Sequence, residues 1–535
     1  MEHERVIVVG AGLSGLATAL GSALGGRPVT VFESAELVGG AAAYSGGQVW
    51  VGANHVAARE GITDDVERTE RYVRAIASAH PELLDERAMQ RWLHTAPVAM
   101  RHWETVGAVT WTLITGLADY HAEAEGALTS GRYLTALPVP ASALGSWRSR
   151  LRVSPYFRMG STYGDIMAEG RRQLASATAD STDGEMLTMG TGLVAGFLAR
   201  TVEQESIEML VSTPVRELLH DDEGAVVGVR ADGPDGVVER HGPVVLATST
   251  YDWDPELAYE FLGLHEDDFG SMAPDSIRGD GIKLARSVGA ATQRIPATCV
   301  PLVPGWRVAD GFANGPEYAM PHAMIVDVAG RRFCNDSYWV DIVPKALDPA
   351  DPHLPFFLIW DEQHHRKYGL GATPPGGTYP PGLVTSAATL RTLGLALGID
   401  GERLEATAAS FSERAAAGHD PDFGRGTVEF VNRFSGDPSH VPSPVLGPIT
   451  EPPFHGMRLL LLGTAIGSSG VLADGDGRVL GEGGEVIAGL YAIGSCAATT
   501  TFGSGYNSGM ALSRGLTSAY LVSQHLATAG GGESR

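Results

Sequence analysis

Three glycines and one glutamate near the start of the chain have the types and spacing of a dinucleotide-binding site. Gly10, Gly12 and Gly15 follow the apolar run "VIVV" and open a segment rich in alanine and leucine. A second apolar run, "VTVF", ends at Glu33. In such a βαβ unit the glycines permit a tight turn, close approach of a pyrophosphate to the helix amino terminus, and packing of helix on strand. Glu33 would accept hydrogen bonds from ribose hydroxyls.

A further stretch of small residues favours FAD over NAD as the dinucleotide. The segment "GGAAAYSGGQVW" begins six residues after Glu33. It could wrap around a long flavin nucleotide that lies across the sheet, whereas an NAD enzyme has little use for it. The candidate contacts in this segment are Gly39, Gly40, Ser45, Gly46 and Gly47.

A later glycine cluster, Gly190, Gly192 and Gly196, is predicted not to bind a nicotinamide nucleotide. No strand of buried type leads into it, and the following run "IEMLVST" ends without an acid that could hold a ribose.

The carboxy-terminal segment predicts the other half of the flavin site. The strand "GLYAIG" ends at Gly494, small residues fill Ala497 to Gly505, and an amphipathic helix is predicted to begin near Tyr506 or Asn507. The positive end of that helix would face the isoalloxazine carbonyls. The bare backbone would leave room for the flavin ring and for a substrate oxygen.

The order of these patterns predicts an α/β protein with a discontinuous, Rossmann-like domain of the two-dinucleotide-binding type. Residues 206–248 read as a β-meander with turns at "DDEG" and "GPDG". Proline-rich connections are typical of a separate α+β domain inserted into the first. We predict an FAD-binding domain at 1–290 and 456–535 and an inserted catalytic domain at 291–455.

Composition and charge exclude several function classes. The net charge of −24 argues against nucleic-acid binding, and the apolar run at residues 6–26 is explained by the dinucleotide fingerprint rather than by a membrane span. Three scattered cysteines offer neither a disulfide framework nor a CxxC pair, so we expect a cytoplasmic protein. No metal site is predicted, because His364 and His365 lack a third ligand at metal spacing and read as a solvated helix face.

Taken together, several segments resemble the flavin-dependent 3-ketosteroid dehydrogenases of delta-4-(5α) and delta-1 type, within the fumarate reductase and succinate dehydrogenase flavoprotein superfamily. The resemblance spans nearly the whole chain, through the segments "GGAAAYSGGQVWVGANHVAAREGITDD", "GDGIKLARSVGA", "IVDVAGRRFCNDSYW", "GSSGVLADGDGRVL" and "GLYAIGSC". It departs at "ATSTYDWDP", which lacks the family's glycines, and at "FGSGYNSG", which replaces the delta-1 pattern "F-Y-P-G-x-G". The further flavin contacts that it implies are Val215, Ala247, Gly494, Gly505, Ser508 and Met510.

The resemblance implies that FAD oxidises the bond beside a ketone. FAD is predicted to bind non-covalently, because no convincing histidine for a covalent link lies beside the flavin loop. A base removes the α proton and flavin N5 takes hydride from the β carbon. The Tyr-x-Ser pair of Tyr506 and Ser508 is similar to the catalytic pair of the delta-4-(5α) branch, joined by Tyr338 in "RRFCNDSYW". Tyr120 matches a tyrosine that lines the delta-1 pocket. The expected partners are a hydrophobic ketone of steroid type and, as electron acceptor, a quinone-like molecule or O2.

Two alternatives stay open at this stage. An ene-reductase of the same superfamily would act on a small unsaturated acid such as fumarate or urocanate. Such an enzyme needs Arg and His side chains that bind the carboxylates of its substrate, and we cannot assemble this set from the sequence with Arg331 and Arg332. A flavin-binding protein without turnover is the second alternative.

Overall fold

A six-stranded sheet is built from both ends of the chain, in a computed structural model that describes residues 4–157, 159–165, 186–309 and 311–529. The strands of this first sheet are, in spatial order, Arg478–Leu480, Val486–Ala492, Val244–Leu246, Val6–Val9, Val29–Phe32 and Ile207–Leu210. All neighbours are parallel except the edge pair Arg478–Leu480 and Val486–Ala492. The carboxyl ends of the parallel strands meet along one edge, where ligands of such sheets bind.

Helices pack against the first sheet, and its central strands are almost entirely apolar and buried. Val6–Val9 is buried along its whole length, as expected for a parallel strand with both faces covered. The helix Leu13–Leu24 packs against the helices Met189–Val202 and Met510–Ala529, and Met510–Ala529 also packs against Glu86–Thr105. The predicted α/β class is confirmed.

The predicted β-meander is confirmed. The strands Val215–His220, Val226–Gly233 and Gly236–His241 form an antiparallel sheet, and the chain then enters the first sheet at Val244–Leu246.

A second sheet of seven strands is organised around the long strand Phe454–Gly463. That strand pairs directly with four others, which are Phe269–Ser271, Val303–Val308, Phe356–Trp360 and Thr385–Ala387. Ala323–Asp327 and Gly311–Ala313 extend the sheet on either side. The central strand crosses the predicted boundary at 455/456, and the domain boundaries stay a prediction.

The remaining elements are short or lie around the two sheets. The other helices are Gly40–Tyr44, His55–Arg59, Val66–Ile76, Pro255–Leu262, Asp280–Ser287, Trp339–Ala346, Glu362–Tyr368, Leu390–Leu397, Gly401–Ala416 and Glu429–Phe434, with 3-10 turns at Pro81–Leu83, Ala141–Arg150, Ala297–Cys299, Pro316–Ala319 and Gly494–Cys496. The other strands are Val49–Trp50, Trp111–Leu113, Tyr133–Ala136, Val139–Pro140, Met186–Leu187, Thr292–Gln293 and Gly470–Val471. Within the described ranges, no helix combines the length and the apolar character that crossing a membrane requires.

Candidate active site

A cavity of about 1980 Å³ is lined by residues from the carboxyl edge of the first sheet and from segments around the second. The first sheet and its connections contribute Gly12, Glu33, Val215, Ala247 and Gly494, all of which are predicted flavin contacts. The three tyrosines Tyr120, Tyr338 and Tyr506 also line it. Most of the predicted site residues therefore share one cavity, although they come from segments far apart in sequence.

The three fingerprint glycines have different surroundings. A Cβ atom on Gly10 would meet Ala247 O at 2.5 Å, and one on Gly15 would meet Gly10 O at 1.9 Å. A Cβ atom on Gly12 would come no closer than 4.0 Å to any other residue, at Gly40 Cα. Gly10 and Gly12 line the cavity and Gly15 does not. Gly10 and Gly15 are thus needed for internal packing, whereas Gly12 leaves open space in front of the helix amino terminus.

Glu33 is held by backbone donors at the edge of the cavity. Its Oε2 accepts from Ala11 N and its Oε1 from Ala35 N, each at 2.9 Å. Burial raises the pKa of the Glu33 carboxyl, and the two backbone hydrogen bonds oppose that shift. Each oxygen keeps further acceptor capacity, which is the chemistry that ribose hydroxyls require.

The predicted flavin loop lines the cavity at Gly40, Ser45, Gly46, Gly47 and Gln48, whereas Gly39 packs beneath it, near Ala43 and Val194. The Gln48 side chain is buried, and its Nε2 has no hydrogen-bond partner in the part of the chain that the structure describes. This buried donor and the open space at Gly12 fit a nucleotide with polar ring atoms and a pyrophosphate.

Gly190, the first residue of the second glycine cluster, packs against the flavin loop. Gly190 N donates to Ser45 O at 3.0 Å, and a Cβ atom on Gly190 would meet Ala42 O at 2.0 Å. Gly190 therefore allows the helix Met189–Val202 to press directly against the flavin loop.

The turn after Ala247, which lacks the glycines of related sequences, keeps a backbone that glycine would favour. Ser249 lines the cavity with φ = +67°, a left-handed conformation that is costly for a residue with a side chain.

Three predicted catalytic tyrosines form one aromatic cluster in the cavity wall. The ring of Tyr120 lies 6.2 Å from that of Tyr506 and 6.4 Å from that of Tyr338. Phe430 packs at 4.3 Å from Tyr120, and Trp339 lies 5.5 Å from Tyr506. The rings in contact with the tyrosines are therefore apolar or weakly polar.

Burial disfavours ionisation of the Tyr506 and Tyr338 hydroxyls. Burial raises the pKa of Tyr506 well above its ordinary value, and the Ser508 hydroxyl opposes this shift in part. Burial likewise raises the pKa of Tyr338, whose hydroxyl donates to Tyr120 O at 3.3 Å. Ser508 Oγ donates in turn to Gln48 Oε1, so the predicted Tyr-x-Ser pair is linked to the flavin loop.

Asn507, which has no predicted role, holds the tyrosine cluster in place through buried hydrogen bonds. Its side chain is fully buried, its Oδ1 accepts from Tyr120 N at 2.8 Å and from Tyr72 Oη at 2.7 Å, and its Nδ2 donates to Tyr133 Oη at 2.7 Å. One amide thereby ties the Tyr506 segment to the backbone of Tyr120. Its position between Tyr506 and Ser508 was the only signal that the sequence offered.

The carboxy-terminal helix begins at Met510, later than predicted. Gly509 has φ = +85°, which is incompatible with the helix, and a Cβ atom there would meet Trp50 N at 2.7 Å. Two predicted flavin contacts, Gly505 and Met510, also lie outside the large cavity. A Cβ atom on Gly505 would meet Ile76 Cγ1 at 2.6 Å, and neither Gly505 nor Met510 lines the large cavity.

Arg514 holds the small-residue segment in place. Its guanidinium is buried and donates to Gly494 O and Ala498 O at 2.8 Å and to Ala497 O at 3.1 Å. Burial lowers the pKa of Arg514 to about 10. The small side chains of this segment thus leave its carbonyl oxygens accessible to the buried Arg514. Of the three residues that accept from Arg514, only Gly494 lines the cavity.

Arg331 and Arg332 do not form the cationic substrate clamp that an ene-reductase would need. Arg331 pairs with Asp327, and the buried Arg332 pairs with Asp336 and Asp420. Neither arginine lines the cavity. The predicted solvated face at His364 is wrong, because this side chain is fully buried and its Nε2 bonds Glu317 O at 3.0 Å.

Comparison with known proteins agrees with this geometry. Residues 5–512 match the family described as FAD binding domain. The chain is 30% identical to 4-oxocyclohexanecarboxylate 2-dehydrogenase of Sinomonas cyclohexanicum, over 98% of this chain and 92% of that protein. It is 26% identical to 3-oxosteroid 1-dehydrogenase of Mycobacterium tuberculosis, over 99% of both chains.

Among solved structures, the fold is similar to that of 3-ketosteroid delta1-dehydrogenase from Sterolibacterium denitrificans in complex with 1,4-androstadiene-3,17-dione. The TM-score is 0.88 at 22% identity, over 99% of this chain and 100% of that one. The predicted fold class, family resemblance and cofactor are confirmed. The chain belongs to the FAD binding domain family, as a flavin-dependent oxidoreductase of the superfamily that includes 3-ketosteroid dehydrogenases and fumarate reductases.

Proposed function

We propose that this protein is a dehydrogenase that introduces a carbon–carbon double bond beside a ring ketone, with a flat apolar ketone such as a 3-ketosteroid as substrate. One observation carries the proposal. Tyr120, Tyr338 and Tyr506 come together in the wall of the cavity that the flavin-binding residues line. The names of two relatives support the ring ketone, because both describe dehydrogenation of a six-membered oxo ring.

FAD is proposed to bind without a covalent link, with its pyrophosphate at Gly12, a ribose at Glu33 and its ring near Gln48. When bound, it supplies the hydride acceptor at flavin N5. Release of all the yellow colour into the supernatant after acid precipitation would support non-covalent binding.

The protein's own residues are proposed to activate the ketone and to take the proton. Ser508 and Gly509 line the cavity, and we propose that their backbone N–H groups hold the ketone oxygen as negative charge develops on it. Tyr506 is proposed to take the proton from the α carbon of the ketone. Ser508 and Tyr338 are proposed to assist Tyr506 in this proton transfer.

The raised pKa of Tyr506 has a consequence for this role. A tyrosine accepts a proton only as tyrosinate, and burial makes that form rare at neutral pH. The Ser508 hydroxyl opposes the rise in the Tyr506 pKa, and we propose that it turns its proton from Gln48 Oε1 to the Tyr506 oxygen and so forms part of the base.

The surroundings of the tyrosines favour an apolar ring over a small acid. Trp339 and Phe430 are in ring contact with the cluster, and Phe434 stacks on Phe430 at 5.2 Å. Of the three described arginines that line the cavity, Arg458 is paired with Asp268, Arg307 lies over Phe312, and Arg278 donates to Trp253 O at 3.5 Å.

A substrate panel under anaerobic conditions tests the proposal. The yellow protein is mixed with 3-ketosteroids, with 4-oxocyclohexanecarboxylate, and with saturated acids, and flavin bleaching is followed at its visible band. We expect bleaching by ring ketones, with the steroid faster than the monocyclic acid, and recovery of colour with a quinone-like acceptor or O2.

Two outcomes would reject the proposal. If reduced flavin is reoxidised by fumarate or urocanate while no ketone bleaches the oxidised protein, the protein is an ene-reductase. If neither class exchanges electrons with the flavin, the protein binds FAD without turnover.

A further inference from the structure

Glu362, His365 and His455 form a compact cluster that the proposed reaction does not use. Glu362 and His365 share the short helix Glu362–Tyr368, and His455 lies on the central strand of the second sheet. Glu362 Oε2 is 3.1 Å from His365 Nδ1 and 3.3 Å from His455 Nε2. One candidate ligand atom from each of the three residues lies within 4.8 Å of the other two.

Hydrogen bonds on the far side of each ring fix how these atoms face one another. His365 Nε2 is 2.8 Å from Gly377 O, and a carbonyl oxygen can only accept, so Nε2 carries a proton. In a neutral ring, Nδ1 then points a lone pair at the Glu362 carboxylate. His455 Nδ1 bonds Ser386 Oγ at 2.8 Å, which leaves Nε2 to face the same carboxylate.

In neutral His365 the lone pair of Nδ1 points at the Glu362 carboxylate, and the two repel each other unless a cation lies between them. We propose that Glu362, His365 and His455 bind a divalent transition metal ion, with Zn²⁺ as the ion that two imidazoles and one carboxylate suit. At metal–ligand distances of about 2.05 Å, ligand atoms of a tetrahedral zinc site lie about 3.3 Å apart. The distances from Glu362 Oε2 to His365 Nδ1 and to His455 Nε2 match this spacing.

The surroundings have the features of a metal site. Metal-binding histidines usually donate their other ring nitrogen to a carbonyl or hydroxyl group, as His365 and His455 are placed to do here. Glu362 and His365 are partly exposed, so water could complete the coordination, whereas His455 is buried. These three residues could not be recognised as a metal site from the sequence, because His455 lies 90 residues after His365.

The bound ion would fix one wall of the large cavity. Gly377 belongs to the proline-rich segment 372–382, which connects to the strand Thr385–Ala387. Pro380, Leu383 and Thr385 line the cavity, as does Met457 on the central strand. An ion at the cluster would therefore join the helix, the central strand and this segment, without contacting the substrate.

Zinc binding by tag-free holoenzyme tests the proposal directly. The protein is treated with a chelator, dialysed, and titrated with Zn²⁺ in competition with a chromophoric chelator, and the metal content is measured independently. We expect about one zinc per chain for the parent protein. His365→Gln and His455→Gln should each weaken the affinity at least about tenfold, and Ser386→Ala roughly tenfold.

His80→Gln is the matched control, because His80 Nδ1 contacts Glu82 at the same 3.1 Å, but this pair is not part of a three-residue His, Cys, Asp or Glu cluster among the described residues. This variant should bind zinc like the parent. Unchanged FAD content in every variant shows that each is folded.

Two results overturn the proposal. One is a parent protein that takes up no zinc, which means that a second proton on His365 separates it from Glu362. The other is zinc uptake that both histidine variants retain in full.

Discussion

Replacing Gly12 by valine should remove FAD while leaving the protein folded. A Cβ atom at Gly12 meets nothing closer than 4.0 Å, and the backbone there, at φ = −76° and ψ = −179°, suits a residue with a side chain. Compared without cofactor, the free energy of unfolding should therefore stay within about 1 kcal/mol of the parent value. The new methyl groups would occupy the space where a pyrophosphate must approach the helix amino terminus.

The loss of affinity can be estimated from the hydrogen bonds at stake. Losing two charge-assisted bonds from backbone N–H groups costs about 3 to 6 kcal/mol, which corresponds to roughly 10²- to 10⁴-fold in Kd. The assay is FAD content after purification and fluorescence titration of the stripped protein, with unfolding in denaturant as the measure of stability.

Gly15→Ala is the matched comparison, because the same added atom would lie 1.9 Å from Gly10 O. We expect this variant to lose about 1 to 3 kcal/mol or more of stability, because the helix must shift away from the strand. A Gly12→Val protein that binds FAD as tightly as the parent would refute the assignment of the pyrophosphate site.

Three further predictions concern the tyrosine cluster. Tyr506→Phe should keep FAD and substrate binding but slow anaerobic flavin reduction by roughly 10²-fold or more. Ser508→Ala should slow it less, and a variant with both Tyr506 and Tyr338 changed to Phe should be little slower than the slower single variant. If Tyr506→Phe is reduced at the parent rate, Tyr506 has only a packing role. Because burial raises the pKa of Tyr506, the tyrosinate fraction grows with pH, so the reduction rate should climb by up to about tenfold per unit between about pH 7 and 9, and a flat profile would exclude tyrosinate as the base. Asn507→Leu should leave buried hydroxyl and amide groups unpaired, lowering stability by about 1 to 3 kcal/mol and slowing flavin reduction even in protein with full FAD content; reduction at the parent rate would deny it a positioning role.

The cofactor half of the site could be predicted because its signals are local. Gly10, Gly12 and Glu33 lie within one βαβ unit, where strand, turn and helix follow each other along the chain. Spacing alone therefore places them at one edge of a sheet. The β-meander was equally accessible, because its turns and alternating residues are adjacent in sequence.

The sequence was less informative wherever long-range packing decides a residue's role. Gly505 and Met510 have the same small or apolar character as true cavity residues, yet Gly505 packs against Ile76 and neither lines the large cavity. The role of Asn507 depends on partners more than 370 residues away. His365 looked solvated because the strand that brings His455 beside it is distant in sequence.

The strand order of the first sheet implies a constraint on synthesis. The edge of Val244–Leu246 is completed only by Val486–Ala492, which leaves the ribosome after more than nine tenths of the chain. Until then the nascent protein carries an apolar strand with unpaired backbone groups, a surface that invites aggregation. Cofactor loading would therefore be a late event, and variants that slow closure of this sheet should accumulate as insoluble, colourless protein even when every flavin contact is intact.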